Sequence, residues 1–512
     1  MIVEWLKRQS LIHSGFRSER IRRQINTPVF IQWLNSSKIA KALILLTAWA
    51  ITVKIGLWQS SFKQEQVVTF SILLFGFVIL MPYLMLPRVW KSNTIVVMTM
   101  TCFLLNLALD KSLSVVLEHL KLFETTLTDL LVPSALGPML GTILLGPSLG
   151  IFLTILISLA NGIFLSSSAS VLLSSMITGL TGVLFTRRVR RRADLLMAGV
   201  AVGFTGLICA LVLRGITTSW RQALIECIWA ALLGLMTAFI VTSILPFFEW
   251  VFKRITDISW LELTDLNHPL LKRLTMEAPG TYHHSLMVGN LAETAAEAIG
   301  ANPTMCRVLS YFHDIGKLTK PTYFIENIWG ERNPHNDLSP YMSALIIISH
   351  VKEGVDLAIK HRLPRPIIDV IQQHHGTSLV YYFYRKALQQ QQDIQLGGEI
   401  LDVPIDHMPE IEKSNFQYPG PIPQFRECAI VHLADTIEST SRNLKHPTPQ
   451  SIENLVWDII DKRINDGQLN DSGLTLNEIH KIGERFIFTL KNMLHARIEY
   501  PAECKDERKD KE

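Results

Sequence analysis

Long uncharged apolar runs fill the first half of this 512-residue chain and constrain its fold more than any other feature. Inside a bilayer every backbone polar group must be bonded within the protein, and a hydrocarbon core of roughly 30 Å requires about 20 helical residues. The apolar runs stop near Arg254, and the remainder has the charge density of a soluble domain. The sequence therefore predicts an all-α protein in which a polytopic membrane bundle precedes a soluble helical bundle.

Eight apolar runs are candidate spans, and they define a membrane domain over residues 39–248 with seven to eight crossings. The runs are Ile39 to Trp58, Val67 to Leu86, Thr94 to Ala108, Leu130 to Leu145, Leu149 to Leu165, Ala169 to Phe185, Leu195 to Leu213 and Ile225 to Phe248. Prolines and glycines interrupt the stretch from Leu130 to Leu165. This pattern indicates either two spans joined by a tight turn or one broken, partly re-entrant element.

Basic residues indicate the orientation, because cytoplasmic loops carry excess lysine and arginine. With eight spans, the basic N-terminal segment (residues 1–38), the loop containing Arg88 and the cluster of residues 187–192 all lie inside, as does everything after Phe248. We therefore expect a multi-pass protein of the cell (inner or plasma) membrane with a cytoplasmic C-terminal half. The net charge of +4 is small, and the basic runs adjoin apolar segments, which argues against binding a nucleic-acid polymer. No ionisable pair is expected deep in the spans, and residues 110–129 are expected outside.

The C-terminal half shows helical rather than strand periodicity. Residues 249–280 are predicted to be a helical linker, residues 281–502 an all-α domain and residues 503–512 a disordered tail. Predicted helices include Thr304 to Leu318, a helix from Ser339 through His361, and Pro423 to Leu444. The polar stretch from Gln389 to Pro419 is predicted to be a flexible loop.

Histidines and carboxylates in this half form apolar-flanked clusters that are typical of a metal site. The candidates are His284, His313, Asp314, His350, His374, His375 and Asp435. Imidazole and carboxylate are preferred ligands of borderline divalent metals, and two close ions share a bridging carboxylate, for which Asp314 is the natural candidate. Adjacent residues of a helix point about 100° apart, so one serves a single ion while its neighbour lies between two. Such ions polarise phosphoryl oxygens and lower the pKa of bound water, which predicts a metal-dependent phosphohydrolase.

Single residues of the pattern also have simpler interpretations. Alone, His350 is more often a core or surface histidine and Asp435 a helix-face carboxylate, but the joint pattern reverses that preference. Lys317 would neutralise a phosphate or, with equal weight, meet a helix dipole. His335 would touch substrate or be a solvated loop residue, and it lies outside the predicted ligand set together with His283.

The order His284, His313-Asp314, Asp435 resembles the HD-domain phosphohydrolase signature, and the remaining histidines resemble its bimetallic subset. More narrowly, the segments Gly-Thr-Tyr-His-His-Ser, His-Asp-Ile-Gly-Lys and Gln-His-His-Gly-Thr resemble those of the PgpH-type, seven-transmembrane HD-domain cyclic-di-AMP phosphodiesterases of bacteria. The resemblance covers about Trp250 to Pro501 closely and the membrane half by architecture. Family members usually carry a large extracellular domain after the first span, whereas here only Gln59 to Gln66 separates the first two spans.

The resemblance implies hydrolysis of cyclic di-AMP to linear 5′-pApA by a hydroxide that two manganese or iron ions activate, which lowers the level of this second messenger. It implies that His284, His313 and Asp435 hold one ion and that His350, His374 and His375 hold the other. Asp314 would bridge the ions, and Asp314 and Lys317 would be the catalytic residues. The implied partners are a cyclic dinucleotide, the lipid bilayer and, as an open alternative, a second copy of the chain.

Two other functions fit the same residues. In one, the chain is a non-catalytic cyclic-dinucleotide receptor and signal transducer. In the other, the same enzyme acts on cyclic di-GMP, because a metal shell attacks phosphorus without recognising the base.

Overall fold

The computed structural model describes residues 35, 37–58, 63–85, 92–120, 132–165, 168–214, 220–328, 330, 332–401, 411–444 and 447–495. The predicted N-terminal segment, apart from a few residues at its end, and the predicted tail lie outside them. The chain divides between Ser259 and Trp260 into a membrane unit and a C-terminal unit. Among the described residues the only β pairing is an isolated bridge between Leu379 and Gln417, so the predicted all-α fold class is confirmed.

The membrane unit contains eight described helices at the predicted positions. They are α1 (Lys38–Leu57), α2 (Gln64–Met85), α3 (Asn93–Leu120), α4 (Leu136–Leu145), α5 (Pro147–Phe164), α6 (Ala169–Thr186), α7 (Arg192–Arg214) and α8 (Trp220–Phe252). Among the described residues, six of these helices, α1, α3 and α5 to α8, are long and apolar enough to cross a membrane by length and composition. The outer surfaces of these helices carry large exposed apolar side chains such as Phe204 and Phe239.

The interrupted stretch contains two helices of unequal length. Helix α4 has 10 residues, nearly all of them buried, and a helix of that length is about 15 Å long, half of a hydrocarbon core. Gly146, at a φ of 99°, turns the chain directly into α5 with Pro147 in its first turn. A short helix is tolerated here because it packs against α3, α5, α6 and α8. The number of crossings stays a prediction.

Helix α3 is longer than its predicted span, which ended at Ala108. It continues to Leu120, and Asp110 and Lys111 are only 0% and 5% exposed. The expectation that no ionisable pair lies deep in the spans is therefore wrong, because both side chains are buried among the membrane helices. The placement of residues 110–129 outside the membrane stays a prediction. Polar partners from other helices surround these two side chains, and such partners leave no periodic signal in the sequence of α3 itself.

The C-terminal unit contains ten described α-helices joined by short loops and 3₁₀ turns. They are α9 (Asp257–Glu262), which begins just before the unit boundary, α10 (Pro269–Glu277), α11 (Pro279–Ala298), α12 (Pro303–Phe312), α13 (Pro340–Lys360), α14 (Arg365–Gln373), α15 (Tyr381–Leu401), α16 (Arg426–Ser441), α17 (Pro449–Asn465) and α18 (Leu476–His495). Helix α11 lies at the centre and packs against α12, α16 and α18. Val288, Leu291, Leu309, Ile430 and Phe486 are fully buried in this core.

Local sequence sets where these helices begin. Several start with proline in the first turn, which has no N–H to leave unbonded. A polar residue precedes the proline: Asn302 Oδ1 accepts the N–H of Met305 at 2.9 Å, and Ser339 Oγ accepts that of Met342 at 3.2 Å. Fixed starting points determine which side chains of each helix face the core.

Two predicted elements differ from the structure. The helix predicted from Thr304 to Leu318 ends at Phe312, and a 3₁₀ turn follows from Ile315 to Thr319. The predicted flexible loop from Gln389 is helical as far as Leu401, because α15 continues through the glutamine run. Residues 402–410 of that stretch lie outside the described part of the chain.

Candidate metal centre

Five elements bring all seven predicted ligand residues together in the C-terminal unit. Helix α11 contributes His284, the end of α12 His313 and Asp314, α13 His350, the end of α14 His374 and His375, and α16 Asp435. Six of the seven side chains are buried, and His375 is the most accessible at 24% side-chain exposure. Residues separated by more than 150 positions thus form one compact site.

Asp314 lies at the middle of this site. Its Oδ2 is 3.5 Å from His284 Nε2 and 3.2 Å from His313 Nε2. Its Oδ1 is 3.4 Å from His350 Nε2 and 3.6 Å from His374 Nε2. One carboxylate therefore presents a different oxygen to each half of the site.

The potential ligand atoms form two groups in which all atoms lie within 4.8 Å of one another. The first group contains His284, His313 and Asp435, and the second contains Asp314, His350, His374 and His375. Nε2 of His284, Nε2 of His313 and Oδ1 of Asp314 are buried without a hydrogen-bond partner among the described residues. Buried polar atoms without partners are rare in proteins, and all three of these belong to the two groups. The donor set therefore fits divalent transition metals.

Three of the histidines are oriented by the same local bond. The Nδ1–H groups of His313, His350 and His374 donate to backbone carbonyl oxygens three residues earlier, those of Ser310, Ile347 and Ile371, at 2.6, 2.6 and 2.9 Å. This bond fixes the tautomer that leaves Nε2 with a lone pair for a metal. For His313 it forms because α12 ends at Phe312, so that the chain turns at His313 and Asp314.

Glu438 orients the fourth buried histidine, and the sequence did not single it out. The Nδ1–H of His284 donates to Glu438 Oε2 at 2.5 Å, and the Arg442 guanidinium donates to Glu438 Oε1 at 2.8 and 2.7 Å. A carboxylate behind a ligand histidine fixes the ring and raises its basicity. The position of Glu438, one helical turn after Asp435, is the only sequence signal that could have identified it.

Gln468 supports the turn that carries His374 and His375. Its Oε1 accepts the N–H of Thr377 at 3.0 Å, and its Nε2 donates to Thr377 Oγ1 at 3.0 Å. The His375 ring stacks on Tyr418 at a centroid distance of 4.2 Å. Two residues from distant segments therefore hold the accessible side of the site, and no motif in the sequence marks either of them.

Lys317 contacts the site directly. Its Nζ is 2.7 Å from Asp314 Oδ2 and 2.7 Å from Glu326 Oε1, and Glu326 also accepts the hydroxyl of Thr281 at 3.0 Å. Burial lowers the pKa of Lys317, but the charges of Asp314 and Glu326 outweigh burial and raise it. The lysine is therefore a charged partner of the central carboxylate rather than a helix-end residue that meets only a dipole.

The two groups differ electrostatically. Burial lowers the pKa of His313, but the nearby charges of Asp314 and Asp435 raise it overall to about 10. Burial lowers the pKa of His350 to about 4, and the pKa of His375 also falls well below its usual value through burial and the neighbouring His374. Burial raises the pKa of Asp314, yet His313 and Lys317 hold it well below its usual value.

The histidines that were predicted to lie outside the ligand set do lie outside both groups. His283 is exposed on α11. His335 is buried: its Nε2–H donates to the carbonyl of Tyr323 at 2.9 Å, and its ring packs on Phe383 at 5.0 Å. The alternative of a solvated loop histidine is therefore wrong for His335.

Comparison with known proteins gives matches to both units. The family model for a 7TM receptor with intracellular HD hydrolase matches residues 65–256, and that for the HD domain matches residues 281–440. The cyclic-di-AMP phosphodiesterase PgpH of Bacillus subtilis (strain 168) is 36% identical over 406 residues, which is 77% of this chain and 55% of that protein. The protein of the same name from Listeria monocytogenes is 36% identical over 376 residues, 72% of this chain and 50% of that protein.

A crystal structure of the L. monocytogenes PgpH HD domain in complex with cyclic-di-AMP also matches, at 41% identity and a TM-score of 0.40, over 45% of this chain and 100% of that one. The chain spans about half the length of the two curated relatives. The range 65–256 takes in helices α2 to α8, and the range 281–440 takes in all seven ligand candidates. The two family models thus match both units of the chain, which is similar to the PgpH proteins over most of its length.

Proposed function

We propose that this chain is a membrane-anchored phosphodiesterase that hydrolyses cyclic di-AMP to linear 5′-pApA. The observation that carries the proposal is the placement of Asp314, whose two oxygens face two separate groups of ligand atoms. Two curated relatives at 36% identity are named cyclic-di-AMP phosphodiesterases, which supports this substrate over other phosphodiesters. Addition of one water across one P–O3′ bond opens the ring and leaves a 5′ phosphate.

Each group of ligand atoms would hold one divalent ion, manganese or iron. His284, His313 and Asp435 would hold one ion, His350, His374 and His375 the other, and Asp314 would contact both. Ions bound there supply charge that polarises a phosphoryl oxygen and lowers the pKa of water. The buried atoms without hydrogen-bond partners support this occupancy.

The protein's own residues would keep that geometry rigid and dry. Lys317 balances the charge of Asp314 through Oδ2, the oxygen that also faces His284 and His313. Glu438 and Gln468 hold the two groups from behind through His284 and Thr377. A preorganised electrostatic site requires rigid side chains at the site and further residues that hold those side chains in place. Lys317 and Asp314 are therefore the residues that we assign to catalysis.

We further propose that the site lies in the cytoplasm. The basic cluster between α6 and α7 is exposed, with Arg187, Arg188, Arg190 and Arg191 pointing to solvent and Asp194 capping the turn. Under the positive-inside rule this loop is cytoplasmic, and two further crossings, α7 and α8, return the chain to the same side. Cytoplasmic placement also gives access to a nucleotide second messenger.

A side-by-side assay tests the proposal. The full-length protein is purified in detergent, loaded with Mn²⁺ or Fe²⁺, and incubated with cyclic di-AMP and with cyclic di-GMP, with products separated by chromatography. We expect 5′-pApA from cyclic di-AMP and slower cleavage of cyclic di-GMP. Binding without cleavage by both metal-loaded forms would instead support the non-catalytic receptor. Faster cleavage of cyclic di-GMP would identify that dinucleotide as the substrate.

A further inference from the structure

A second buried polar site lies in the membrane unit, far in sequence from the metal centre. Helices α3, α5 and α6 and the turn before α4 contribute the side chains of Asn106, Asp110, Ser134, Asn161 and Ser175. All five are between 0% and 3% exposed, in a unit whose core is otherwise mainly apolar. Polar and ionisable side chains buried among membrane helices are expensive and commonly mark functional sites.

These side chains form one connected network. Asp110 Oδ2 accepts hydrogen bonds from the amide groups of Asn106 and Asn161, both at 2.7 Å. The Asn161 amide lies 3.3 Å from Ser175 Oγ, and that hydroxyl lies 3.0 Å from Ser134 Oγ. Asn106 Oδ1 in turn accepts the N–H of Gly137 at the start of α4, at 2.6 Å. The network therefore joins four elements around one carboxylate.

Two oxygens of the network lack a hydrogen-bond partner in the part of the chain that the structure describes. Asp110 Oδ1 and Asn161 Oδ1 are buried without a hydrogen-bond partner among the described residues. The orientation of Asn161 follows from its neighbour, because a flipped amide would place its oxygen against the carboxylate of Asp110. Both of these oxygens are therefore acceptors, and burying either of them without a partner costs an appreciable desolvation free energy.

We propose that this network is a binding site for an alkali-metal cation, with Asp110 Oδ1 and Asn161 Oδ1 as ligands. All open ligands are hard oxygens, which suit alkali and alkaline-earth ions rather than transition metals. The network has one carboxylate, whereas divalent calcium sites usually collect several. The Lys111 ammonium donates to the carbonyl of Phe164, one helical turn after Asn161, at 3.2 Å, and its charge repels a divalent ion more strongly than a monovalent one.

The backbone near the site supports a cation. Residues 132–135 are not helical although they are buried, and α4 starts there as a half-length helix. Irregular backbone among membrane helices is tolerated where it lines a cavity or site, and broken helices are typical of cation sites in membrane proteins. A cation bound by Asp110 and Asn161 would tie α3 to α5, and through Ser175 to α6. Its occupancy would therefore change the stability of the membrane unit.

Thermal unfolding of the full-length protein in detergent tests the site. Unfolding is followed in NaCl, KCl and choline chloride at equal ionic strength. We expect a saturable rise in Tm in NaCl or KCl over choline chloride, on the order of 3 °C. Asp110→Asn keeps the shape of the side chain and should abolish this difference. Glu118→Gln removes the same charge from an exposed position of α3 and should retain it.

Direct binding keeps the proposal testable if Asp110→Asn does not fold. The wild-type protein should bind about one equivalent of radioactive sodium or rubidium, and Asn161→Ala should weaken that binding about fivefold by removing one oxygen. Equal Tm values in all three salts, or a salt dependence that Asp110→Asn preserves, would overturn the site. If the Tm depends on pH and on Asp110 but not on the cation, the network binds a proton instead of a metal cation.

Discussion

At the scale of single residues, Asp314 is the position on which both ligand groups depend. Asp314→Asn preserves the size of the side chain but removes the charge that faces His284 and His350. We expect turnover of cyclic di-AMP to fall about a thousandfold, together with loss of bound metal measured by elemental analysis. Asp356→Asn, an exposed position of α13, is the matched control and should leave both unchanged. Full activity of Asp314→Asn would contradict the assigned centre.

Glu438 gives a second prediction, which separates positioning from catalysis. Glu438→Gln keeps a hydrogen-bond acceptor for His284 but removes the charge behind its ring. We expect the affinity of the first metal to fall about 10- to 100-fold, with a smaller change in the second. Titration of the metal-free protein with Mn²⁺ measures both, and excess metal should restore turnover. Asp458→Asn, exposed on α17, should behave as wild type. Equal loss of both metals would argue for general unfolding instead.

The residues that the sequence revealed and those that it did not differ in a physical way. His313 and Asp314, or His374 and His375, are adjacent, and their density within short apolar segments is visible without a structure. Glu438 and Gln468 act across separations of 154 and 91 residues, on His284 and Thr377. Outer contacts of this kind depend on how helices pack. A single sequence does not contain that information in any local pattern.

At the scale of elements, the turn after α14 determines the position of two of the proposed ligands, His374 and His375. Gly376 has a φ of 54°, and a Cβ there would lie 2.2 Å from Gln468 Oε1. Gly376→Ala therefore combines backbone strain with displacement of the Gln468 side chain that holds Thr377. We expect a destabilisation of about 1–3 kcal/mol and selective loss of the metal held by His350, His374 and His375.

A second glycine provides the control for this substitution. Gly300 has a φ of 65°, but nothing lies within 4 Å of an added Cβ. Gly300→Ala should thus show the strain, as a lower Tm, without loss of metal. Thermal unfolding and metal content of the two variants separate strain from displacement. If Gly376→Ala retains both metals, the turn does not position its histidines in the way that the structure indicates.

Element boundaries were less predictable than element type. The positions of all eight membrane helices followed from apolar runs, since every one of them needs a continuous apolar surface. The end of α3 did not, because Asp110 is buried in the membrane unit, where Asn106 and Asn161 donate to its Oδ2. The end of α12 did not either, since the pattern of apolar residues continues through Ile315 and Leu318 into a 3₁₀ turn. In both cases tertiary partners determine where the helix stops.

At the scale of the whole molecule, pH should act differently on the two ligand groups. His313, whose pKa is raised to about 10, carries a proton in the metal-free protein at neutral pH, and a metal must displace it. His350, whose pKa is lowered to about 4, is already neutral there. In the metal-free protein the raised pKa of His313 stabilises the fold fully below pH 6.5, and this contribution is lost as pH rises through 10. Metal-free protein should therefore be less stable at pH 10 than at pH 6.

The metal affinity of the first group should change with pH in the opposite direction to the stability of the metal-free protein. Because binding releases the proton of His313, the affinity of the first group should fall about tenfold for each unit of decreasing pH below 10, whereas His350 in the second group has no proton to release until pH approaches 4. The carboxylate of Asp314 stays ionised throughout, since its pKa is held well below its usual value. Manganese titrations of the full-length protein between pH 6 and 9 should thus resolve two sites, of which the first depends more steeply on pH. Parallel pH dependence of both sites would show that the two groups do not titrate separately, and would remove the electrostatic distinction between them.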